Sequence, residues 1–340
     1  MKAPSAKTFS VRRSPDGEQD QTMNEMRVAL YDRYGPPEVL YEGRAPVPEA
    51  GPGEVLVRVH AVGVNGGELA GRAGKMRLVT GRRFPQRVGV DFVGEIAGTG
   101  SSVTGLREGE RVWGTLGTSL GSAAEYVAVR PRMVGPAPDN LTAVEAVSLL
   151  AGGMTSINAL RHKARIEPGE RLLVRGGSGG VGSVAVQFGK LYGAHVTALA
   201  GAKNHDFVRG LGADEVLDHR TVRPSELGEF DVIMDTVGTQ HRVFRRLLAP
   251  GGRMVAIAFD TDRMLASLSY LLASAVHGSR RVRFFAGLPP HGLFAELARH
   301  VRNGDIRPVV DTVHPLADVA VAHGALEAGG VRGKHVIQVV

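Results

Sequence analysis

The middle of the chain repeats a pattern of short apolar runs, glycine-rich turns and helical stretches. Residues 172–174 form a bulky apolar run without polar alternation, which is typical of a strand covered on both faces of a parallel sheet. Small and apolar residues then recur at helical spacing over 182–192, and a second apolar run follows at 196–199. This order predicts a βαβ unit. Three later apolar runs extend the predicted parallel sheet: 231–237, 253–258 and 282–285.

The amino-terminal part of the chain is rich in β patterns instead. Val55, Val57 and Val59 alternate with other residues, and further short strands follow, separated by glycine turns. Such spacing predicts a compact β domain. Helical signals begin only at 141–150 and 153–164, directly before the βαβ unit.

The sequence therefore predicts an α/β chain with two domains, which agrees with its length of 340 residues. A β-rich domain takes residues 26–150 and is closed by residues 285–340, which contain helices and two β-like tails. A doubly wound parallel-sheet domain, 151–284, is inserted between them. Residues 1–25 are polar and lack the periodicity of a packed element, so we predict a disordered extension.

A glycine-rich turn joins the first predicted strand of the βαβ unit to its helix. It reads GGSGGVG, and its glycines, including Gly177, Gly179 and Gly180, allow positive φ and close approach of a pyrophosphate to the backbone. The amides at the start of the next helix would face that anion. A glycine cluster at a flexible turn is the alternative, but the flanking strands and helix favour a dinucleotide site.

The end of the second strand decides which dinucleotide binds. NAD-specific sites place an Asp or Glu there, which accepts a hydrogen bond from the ribose 2'-hydroxyl. This chain has small residues at 200–202, followed by Lys203 and Asn204. A lysine attracts the 2'-phosphate that an acid would repel, so the sequence favours NADP(H). A solvated lysine in the first turn of a helix is the alternative for Lys203.

Composition excludes several chemistries. The chain has no cysteine, which excludes disulfides, thiolate nucleophiles and cysteine-ligated zinc, and is compatible with the cytoplasmic location that we expect. Its formal charge of +7 at pH 7 comes from scattered basic residues without interleaved aromatic residues, so no nucleic-acid partner is expected. No membrane partner is expected either, because no apolar run reaches the length of a spanning helix; the stretch 264–276 is too short.

Several motifs occur together along the chain: AVGVN at 61–65, RVGVDFVGE at 87–95, GMTSINAL at 153–160, the glycine turn with AVQFGKLYGA after it, and RGKHVIQVV at 332–340. Together they resemble the medium-chain dehydrogenase/reductase superfamily, and specifically its zinc-free quinone oxidoreductase branch. The resemblance implies a Rossmann domain inserted in a GroES-like catalytic domain, an active site in the cleft and a homodimer.

The resemblance also implies residues of the site. Asn65 is expected near the nicotinamide and the acceptor, with a buried amide that satisfies local backbone groups as the alternative. Thr155 matches a threonine that faces the nicotinamide, unless it caps a helix start. The other implied cofactor contacts, each of which could be ordinary packing, are Ser178, Gly179, Gly180 and Val181 beneath the pyrophosphate, Lys203 and His219 at the 2'-phosphate, and Thr236, Phe285 and Lys334 along the cofactor.

Zinc-dependent alcohol dehydrogenases share this architecture, but their zinc ligands are missing here. Those relatives carry a cysteine at the position of Asn65 and a GHE triplet at 89–91, where this chain has Gly, Val and Asp. Asn and Val cannot replace thiolate and imidazole, so no metal site is expected. Alcohol oxidation without a Lewis acid is disfavoured. Reduction of a polarised acceptor needs mainly alignment with the hydride donor and a group that stabilises the enolate.

We therefore predict a zinc-independent, NADPH-dependent oxidoreductase that transfers hydride to a quinone or an α,β-unsaturated carbonyl compound. Close bacterial quinone reductases carry tyrosines where this chain has Ala70 and Met76, but Arg72 matches. Asn65 and Arg72 are the predicted catalytic residues. Arg72 would donate a hydrogen bond to an acceptor oxygen, while Glu68 or water relays a proton. The alternative for both Arg72 and Glu68 is a solvated charge on the surface. Two other functions stay open: an enoyl-thioester reductase, and a nucleotide-binding protein with little catalytic activity and a structural or RNA-binding role.

Overall fold

The computed structural model describes residues 25–81, 83–259, 282–284 and 292–340. These residues form a β-rich domain and a parallel-sheet domain. The predicted extension at 1–25, apart from Glu25, and the apolar stretch 264–276 lie outside the described residues.

The strands of the described part are, in chain order, β1 (Glu25–Tyr31), β2 (Tyr41–Pro46), β3 (Val55–Gly63), β4 (Gln86–Arg87), β5 (Asp91–Thr99), β6 (Arg111–Thr115), β7 (Tyr126–Val129), β8 (Val134–Pro136), β9 (Arg171–Arg175), β10 (His195–Ala200), β11 (Glu215–Asp218), β12 (Phe230–Asp235), β13 (Leu248–Ala256), β14 (Val282–Phe284), β15 (Val310–Pro315) and β16 (Lys334–Gln338).

The helices of the same ranges are α1 (Gly66–Arg72), α2 (Arg77–Thr80), α3 (Ala143–Ser156), α4 (Gly182–Leu191), α5 (His205–Gly210), α6 (His241–Arg245), α7 (Gly292–Arg302) and α8 (Val319–Ala328). A π-helical segment, Ile157–Ala164, continues α3 directly. Short 3-10 turns occur at Pro37–Val39, Pro131–Met133, Ala202–Asn204, Pro224–Glu226 and Leu316–Asp318.

The β-rich domain contains a large sheet in the order β15-β16-β3-β5-β6-β8, with β7 also paired to β3, and a small sheet in the order β2-β1-β4. The alternating residues Val55, Val57 and Val59 lie in the strand β3, as their pattern predicted, and all three side chains are fully buried. Antiparallel pairing places Val336 of β16 opposite Gly63 of β3. The carboxyl terminus therefore closes this domain, as the sequence predicted.

The second domain is a parallel sheet in the order β11-β10-β9-β12-β13-β14. Every pair of neighbouring strands in it is parallel. The apolar run at 172–174 lies fully buried in the central strand β9, as a strand covered on both faces should. Strand order reverses between β9 and β12, and in doubly wound sheets ligands bind in the crevice at the carboxyl ends of the strands at this point.

Helix α3 connects the two domains. Thr142 and Glu145 form a capping box at its start: the Thr142 hydroxyl accepts from the Glu145 amide, and the Glu145 carboxylate accepts from the Thr142 amide. The helix contacts β3 in one domain and α4 in the other. The domain division predicted at residue 150 therefore falls inside a continuous helix. At the other end, the boundary predicted at residue 284 stays a prediction, because the residues that follow Phe284 lie outside the described ranges.

One prediction about apolar runs needs correction. The continuous helix 143–164 is long and apolar enough to cross a membrane, with a mean hydropathy of 1.3 in its most apolar window. The sequence pattern divided it into two shorter helical signals. Within the protein, 67% of that window is buried, and the core helix of a globular domain meets the same criteria of length and composition.

Candidate active site

The glycine turn lies at the carboxyl end of β9. Gly176 has a φ of 76°, and a Cβ on Gly182 would lie 2.0 Å from the carbonyl oxygen of Gly176, so neither position tolerates a side chain. The Gly177 amide donates to the Leu199 carbonyl at 2.9 Å and thereby fastens the turn to β10. Val181 directly precedes α4. The turn thus offers bare backbone and a helix amino terminus, which together suit a pyrophosphate.

The carboxyl-terminal segment packs against this turn. The Gly333 amide donates to the Ser178 carbonyl at 2.7 Å, and Gly333 pairs with Gly179 in an isolated parallel bridge. The next residue, Lys334, is buried, and its side chain passes so close to Gly180 that a Cβ there would lie 3.0 Å from its Cδ. Lys334 therefore brings a positive charge from the β-rich domain to the nucleotide-binding turn.

A cavity of about 800 Å³ opens beside the turn, along the ends of β9 and β10. Four predicted cofactor residues line it: Ser178, Lys203, Asn204 and His219. Arg220, which the sequence analysis did not select, lines it as well. Together Lys203 and Arg220 give this end of the cavity two permanent cations, and no Asp or Glu is among its wall residues in the described part of the chain.

Lys203 and Asn204 also meet the loop before β16. The Lys203 ammonium lies over Gly330, where a Cβ would be 2.5 Å from its Nζ. The Asn204 amide donates to the carbonyls of Gly330 and Val331, both at 3.3 Å. Arg332 donates to the Asn204 side-chain oxygen at 2.9 Å and to the Lys203 carbonyl at 2.7 Å. The polar atoms of Asn204 therefore hold the loop in place, while the charge of Lys203 faces the cavity.

A buried ion pair supports the floor of the cavity. The guanidinium of Arg175 lies 2.7 Å from Asp235 Oδ2 and 3.6 Å from the centre of the Phe244 ring. Burial raises the pKa of Asp235, but the hydrogen bond from His241 and the charge of Arg175 together hold it below its ordinary value. Thr236, a predicted cofactor contact, donates its hydroxyl to the Arg175 carbonyl at 2.6 Å and lines neither cavity of the cleft.

A second cavity, of about 410 Å³, lies between α1, β5 and α3. Its apolar walls come from Gly67, Gly71, Met76, Val90, Leu120, Leu150, Ala151 and Met154. Its polar groups belong to Asn65, Glu68, Thr80, Asp91, Thr115, Thr118, Thr155 and Asn158. Mostly apolar walls with a few polar groups are typical of a small-molecule site. We call this cavity the acceptor pocket.

Helix α3 and its π-helical continuation bring Thr155 and Asn158 to the acceptor pocket. Thr155 is the second-last residue of α3, so the alternative that it caps a helix start is wrong. Sequence reasoning missed Asn158, because no local pattern separates it from any other polar residue of a helix. The two side chains place a hydroxyl and an amide on one wall of the pocket.

Asn65 lies at the centre of a buried network. Its amide nitrogen lies 2.8 Å from Glu68 Oε1, 2.9 Å from Asp91 Oδ1 and 3.1 Å from the Gly63 carbonyl. Its amide oxygen accepts a hydrogen bond from the Lys334 ammonium. The amide thus bonds a local backbone group, as the alternative stated, and also lines the acceptor pocket, while its position near the nicotinamide and the acceptor stays a prediction. Lys334 links the glycine turn to this network.

The two carboxyl groups of the network are each 2% exposed. Burial raises the pKa of Glu68 to about 7, and the charge of Asp91 adds to this shift. The hydrogen bonds from Asn65 and the Gly89 amide and the charge of Lys334 oppose it. Burial also raises the pKa of Asp91, against the opposing effects of Lys334 and Asn65. An acid that exchanges its proton near neutral pH in a pocket is typical of functional sites.

Arg72 does not reach the acceptor pocket, which corrects the prediction that it bonds an acceptor oxygen. Its side chain is fully buried, it donates to the Gly35 carbonyl at 2.8 Å, and it forms an ion pair with Glu327 of α8. The alternative of a solvated surface charge is wrong for Arg72 and for Glu68, because both are buried. Arg72 holds α1 against α8, and only Glu68 of the two faces the pocket.

The residues at the zinc-ligand positions of related dehydrogenases do not fit that metal. Asn65 accepts from an ammonium group, and Val90 is an apolar wall residue. In the described ranges, no group of three or more His, Asp or Glu residues could hold a metal ion. Phe285, the remaining predicted cofactor contact, lies outside the described residues.

Comparisons with known proteins agree with this architecture. The description "Alcohol dehydrogenase GroES-like domain" matches residues 51–139, and "Zinc-binding dehydrogenase" matches residues 211–337. The mitochondrial NAD(P)H oxidoreductase RTN4IP1 of Danio rerio is 31% identical, and the alignment covers 92% of this chain and 90% of that protein. A chloroplastic quinone-oxidoreductase homolog of Spinacia oleracea is 29% identical and covers 92% and 98%.

Two further relatives extend the comparison. The 2-methylene-furan-3-one reductase of Solanum lycopersicum is 31% identical, with 92% of this chain and 79% of that protein covered. The solved structure of the quinone oxidoreductase from Coxiella burnetii superimposes with a TM-score of 0.83 at 27% identity, covering 93% of this chain and all of that one. This chain therefore belongs to the medium-chain dehydrogenase/reductase superfamily, in its quinone oxidoreductase-like branch, and is an oxidoreductase.

Proposed function

We propose that this protein is a zinc-independent oxidoreductase that uses NADPH to reduce a quinone or an α,β-unsaturated carbonyl compound. The observation that carries the proposal is the position of Lys334 between two cavities. Its side chain passes Gly180 in the nucleotide-binding turn and ends on Asn65 in the wall of the acceptor pocket. When bound, the reduced nicotinamide supplies the hydride. The chain's own residues hold the acceptor and exclude water.

The acceptor pocket suits a compact, uncharged molecule. Met76, Leu120 and Leu150 cover much of its surface with apolar side chains, and its volume of about 410 Å³ accommodates a small ring system. Thr155 and Asn158 supply a hydroxyl and an amide, which can donate to an acceptor oxygen as negative charge develops on it. The relatives agree with this class, since they include a quinone-oxidoreductase homolog and a 2-methylene-furan-3-one reductase.

The choice of NADPH rests on the charges at the end of β10. Residues 200–202 are small, and Lys203 and Arg220 line the cavity there together with the imidazole of His219. A phosphate group accepts charge-assisted hydrogen bonds from such cations. An acid that would bond a free 2'-hydroxyl is absent from the described wall of this cavity.

Zinc independence rests on the donor set of the acceptor pocket. The Lys334 ammonium binds the amide oxygen at Asn65, where zinc-dependent relatives carry a ligand, and Val90 offers no lone pair. Preserved activity after exhaustive treatment with a chelator, together with the absence of stoichiometric zinc in the purified protein, is the expected result. Loss of activity that added zinc restores would contradict this part of the proposal.

A panel of acceptors tests the reaction. NADPH oxidation is followed with naphthoquinones, enones and enoyl thioesters, and NADPH binding is measured separately by fluorescence titration. We expect turnover with quinones or enones. Turnover with enoyl thioesters alone would identify a thioester reductase, and tight NADPH binding without any turnover would identify a nucleotide-binding protein with little catalysis. The homodimer implied by the family resemblance stays a prediction, which light scattering tests.

Lys203→Glu tests the cofactor preference. The substitution replaces attraction of the 2'-phosphate by repulsion, and we expect NADPH to bind roughly 100-fold more weakly, or about 3 kcal/mol, while NADH binding changes little. Lys163→Glu is the matched control, because Lys163 is exposed and lines neither cavity of the cleft. A Lys203→Glu protein that keeps its preference for NADPH would contradict the assignment.

A further inference from the structure

We propose that Glu68 and Asp91 share one exchangeable proton, and that this proton is transferred to the acceptor after the hydride. The inference rests on the proposed function and adds a proton source to it. The two residues come from different elements, since Glu68 lies in α1 and Asp91 begins β5. Both line the acceptor pocket, and both are almost completely shielded from bulk solvent.

Hydrogen bonds to the side chain of Asn65 hold the carboxyl groups of Glu68 and Asp91 close together. A single nitrogen, Nδ2 of Asn65, lies 2.8 Å from an oxygen of Glu68 and 2.9 Å from an oxygen of Asp91. The second oxygen of Glu68 accepts from the Gly89 amide at 2.9 Å. The second oxygen of Asp91 is buried and has no hydrogen-bond partner among the residues that the structure describes. A buried carboxylate oxygen without a donor is costly, so this site favours retention of a proton.

The balance of charge leads to the same conclusion. Among the described residues, the charges of Asp91 and Lys334 act on Glu68, and the charge of Lys334 acts on Asp91. Two ionised carboxylates beside one ammonium would leave a net negative charge at a buried position in a mostly apolar pocket, whereas one shared proton makes the group neutral. Arg72, the buried cation at the end of α1, forms an ion pair with Glu327 and does not compensate this charge. The pair therefore holds one proton when the pocket is ready for reaction.

The proposed step balances as follows for an α,β-unsaturated carbonyl acceptor. The β carbon accepts the hydride, NADPH is oxidised to NADP⁺, and the π electrons of the carbon–carbon double bond move toward the carbonyl to give an enolate. The O–H bond of the carboxylic acid at Glu68 then breaks, and a C–H bond forms at the α carbon. The carboxylate that remains is stabilised by Asn65, Gly89 and Lys334 until it takes a new proton from water at the pocket entrance.

Glu68→Gln and Asp91→Asn, singly and together, remove the proton while keeping the shape of the side chains. The matched control is Glu95→Gln, on the same strand as Asp91 but with a side chain 41% exposed. With saturating NADPH and an enone, we expect kcat to fall about 100-fold in Glu68→Gln and to stay unchanged in the control. Unmodified protein should lose kcat as pH rises through neutrality, and the double variant should lose this dependence. NADPH affinity should change in none of them.

The result that would overturn the inference is a double variant that keeps both the pH dependence and most of its kcat. The proton would then come from water or a hydroxyl group, and the proposed reduction would stand. An infrared measurement tests the shared proton without turnover: the carbonyl band of a protonated carboxylic acid should disappear as pH is raised, and it should be missing in the double variant. If unmodified protein shows the band but reduces no acceptor, the proposed function fails and the shared proton remains; if the band is missing, the inference fails.

Discussion

The buried imidazole of His323 makes the stability of the protein depend on pH. His323 lies in α8 and is fully buried. Burial, together with the charge of Arg72, lowers its pKa from 6.5 to about 4. Neither ring nitrogen has a hydrogen-bond partner in the described structure. The folded protein therefore keeps this imidazole neutral at a pH where the unfolded chain would bind a proton.

The sign and size of the effect follow from the two pKa values. Between pH 6.5 and about 4 the unfolded state binds more protons at this group, so the stabilising contribution is complete above 6.5 and is lost as pH falls toward 4. Each pH unit in this window removes about 1.4 kcal/mol. At pH 5 the loss from His323 is therefore about 2 kcal/mol, which is a large part of the stability of an ordinary domain.

The assay compares urea unfolding at pH 8 and pH 5 for unmodified protein and for His323→Leu. Leucine has a similar volume and cannot bind a proton, so we expect the variant to lose about 2 kcal/mol less than unmodified protein between these conditions. His162→Leu, at an exposed position, is the control and should leave the pH dependence unchanged. Equal pH dependence in His323→Leu and unmodified protein would refute the reasoning.

Two further substitutions test the connection between the domains and the floor of the cofactor cavity. Thr142→Ala removes the capping box with Glu145 and should cost about 1 kcal/mol in urea unfolding, whereas Thr142→Ser should keep most of the stability; equal losses in the two would contradict the capping argument. Asp235→Ala leaves the guanidinium of Arg175 buried without its carboxylate and should cost about 3–5 kcal/mol, while Asp231→Ala, at an exposed ion pair, should cost below about 1 kcal/mol. A small effect at Asp235 would contradict this account of the cavity floor.

The nucleotide domain is the part that local sequence predicts best. The apolar run at 172–174, the glycines after it and the helix at 182–192 are neighbours in the chain, and their pattern predicts the turn because many of its contacts are local or made with the next strand. The same holds for Lys203, which lies in the short 3-10 turn shortly after β10. The contact of Gly333 with Ser178, by contrast, comes from the distant carboxyl-terminal segment. Helix α3 is also an exception. Its π-helical continuation packs on β12, β13 and α4, which follow later in the chain, and the sequence pattern divided the helix near Gly152.

Arg72 shows where sequence reasoning fails. Its position on α1, four residues after Glu68, is compatible with a side chain in the acceptor pocket, and nothing nearby in the sequence indicates otherwise. Its orientation is decided by Glu327, which lies 255 residues further along the chain. Such a contact depends on how the carboxyl-terminal α8 packs against α1, so it becomes visible only in the folded structure.

The acid pair could have been inferred from the sequence by a different signal. Asp91 stands in the run GVDFVG, where Phe92 and Val93 are fully buried in the strand β5. A carboxylate in such a run must be paired or protonated, because an isolated charge in an apolar environment is too costly. Glu68 gives a weaker signal, since it begins a short helix with glycines on both sides. What the sequence cannot supply is the partner: Lys334 reaches the pair only because β16 lies beside β3, a pairing between the two ends of the chain.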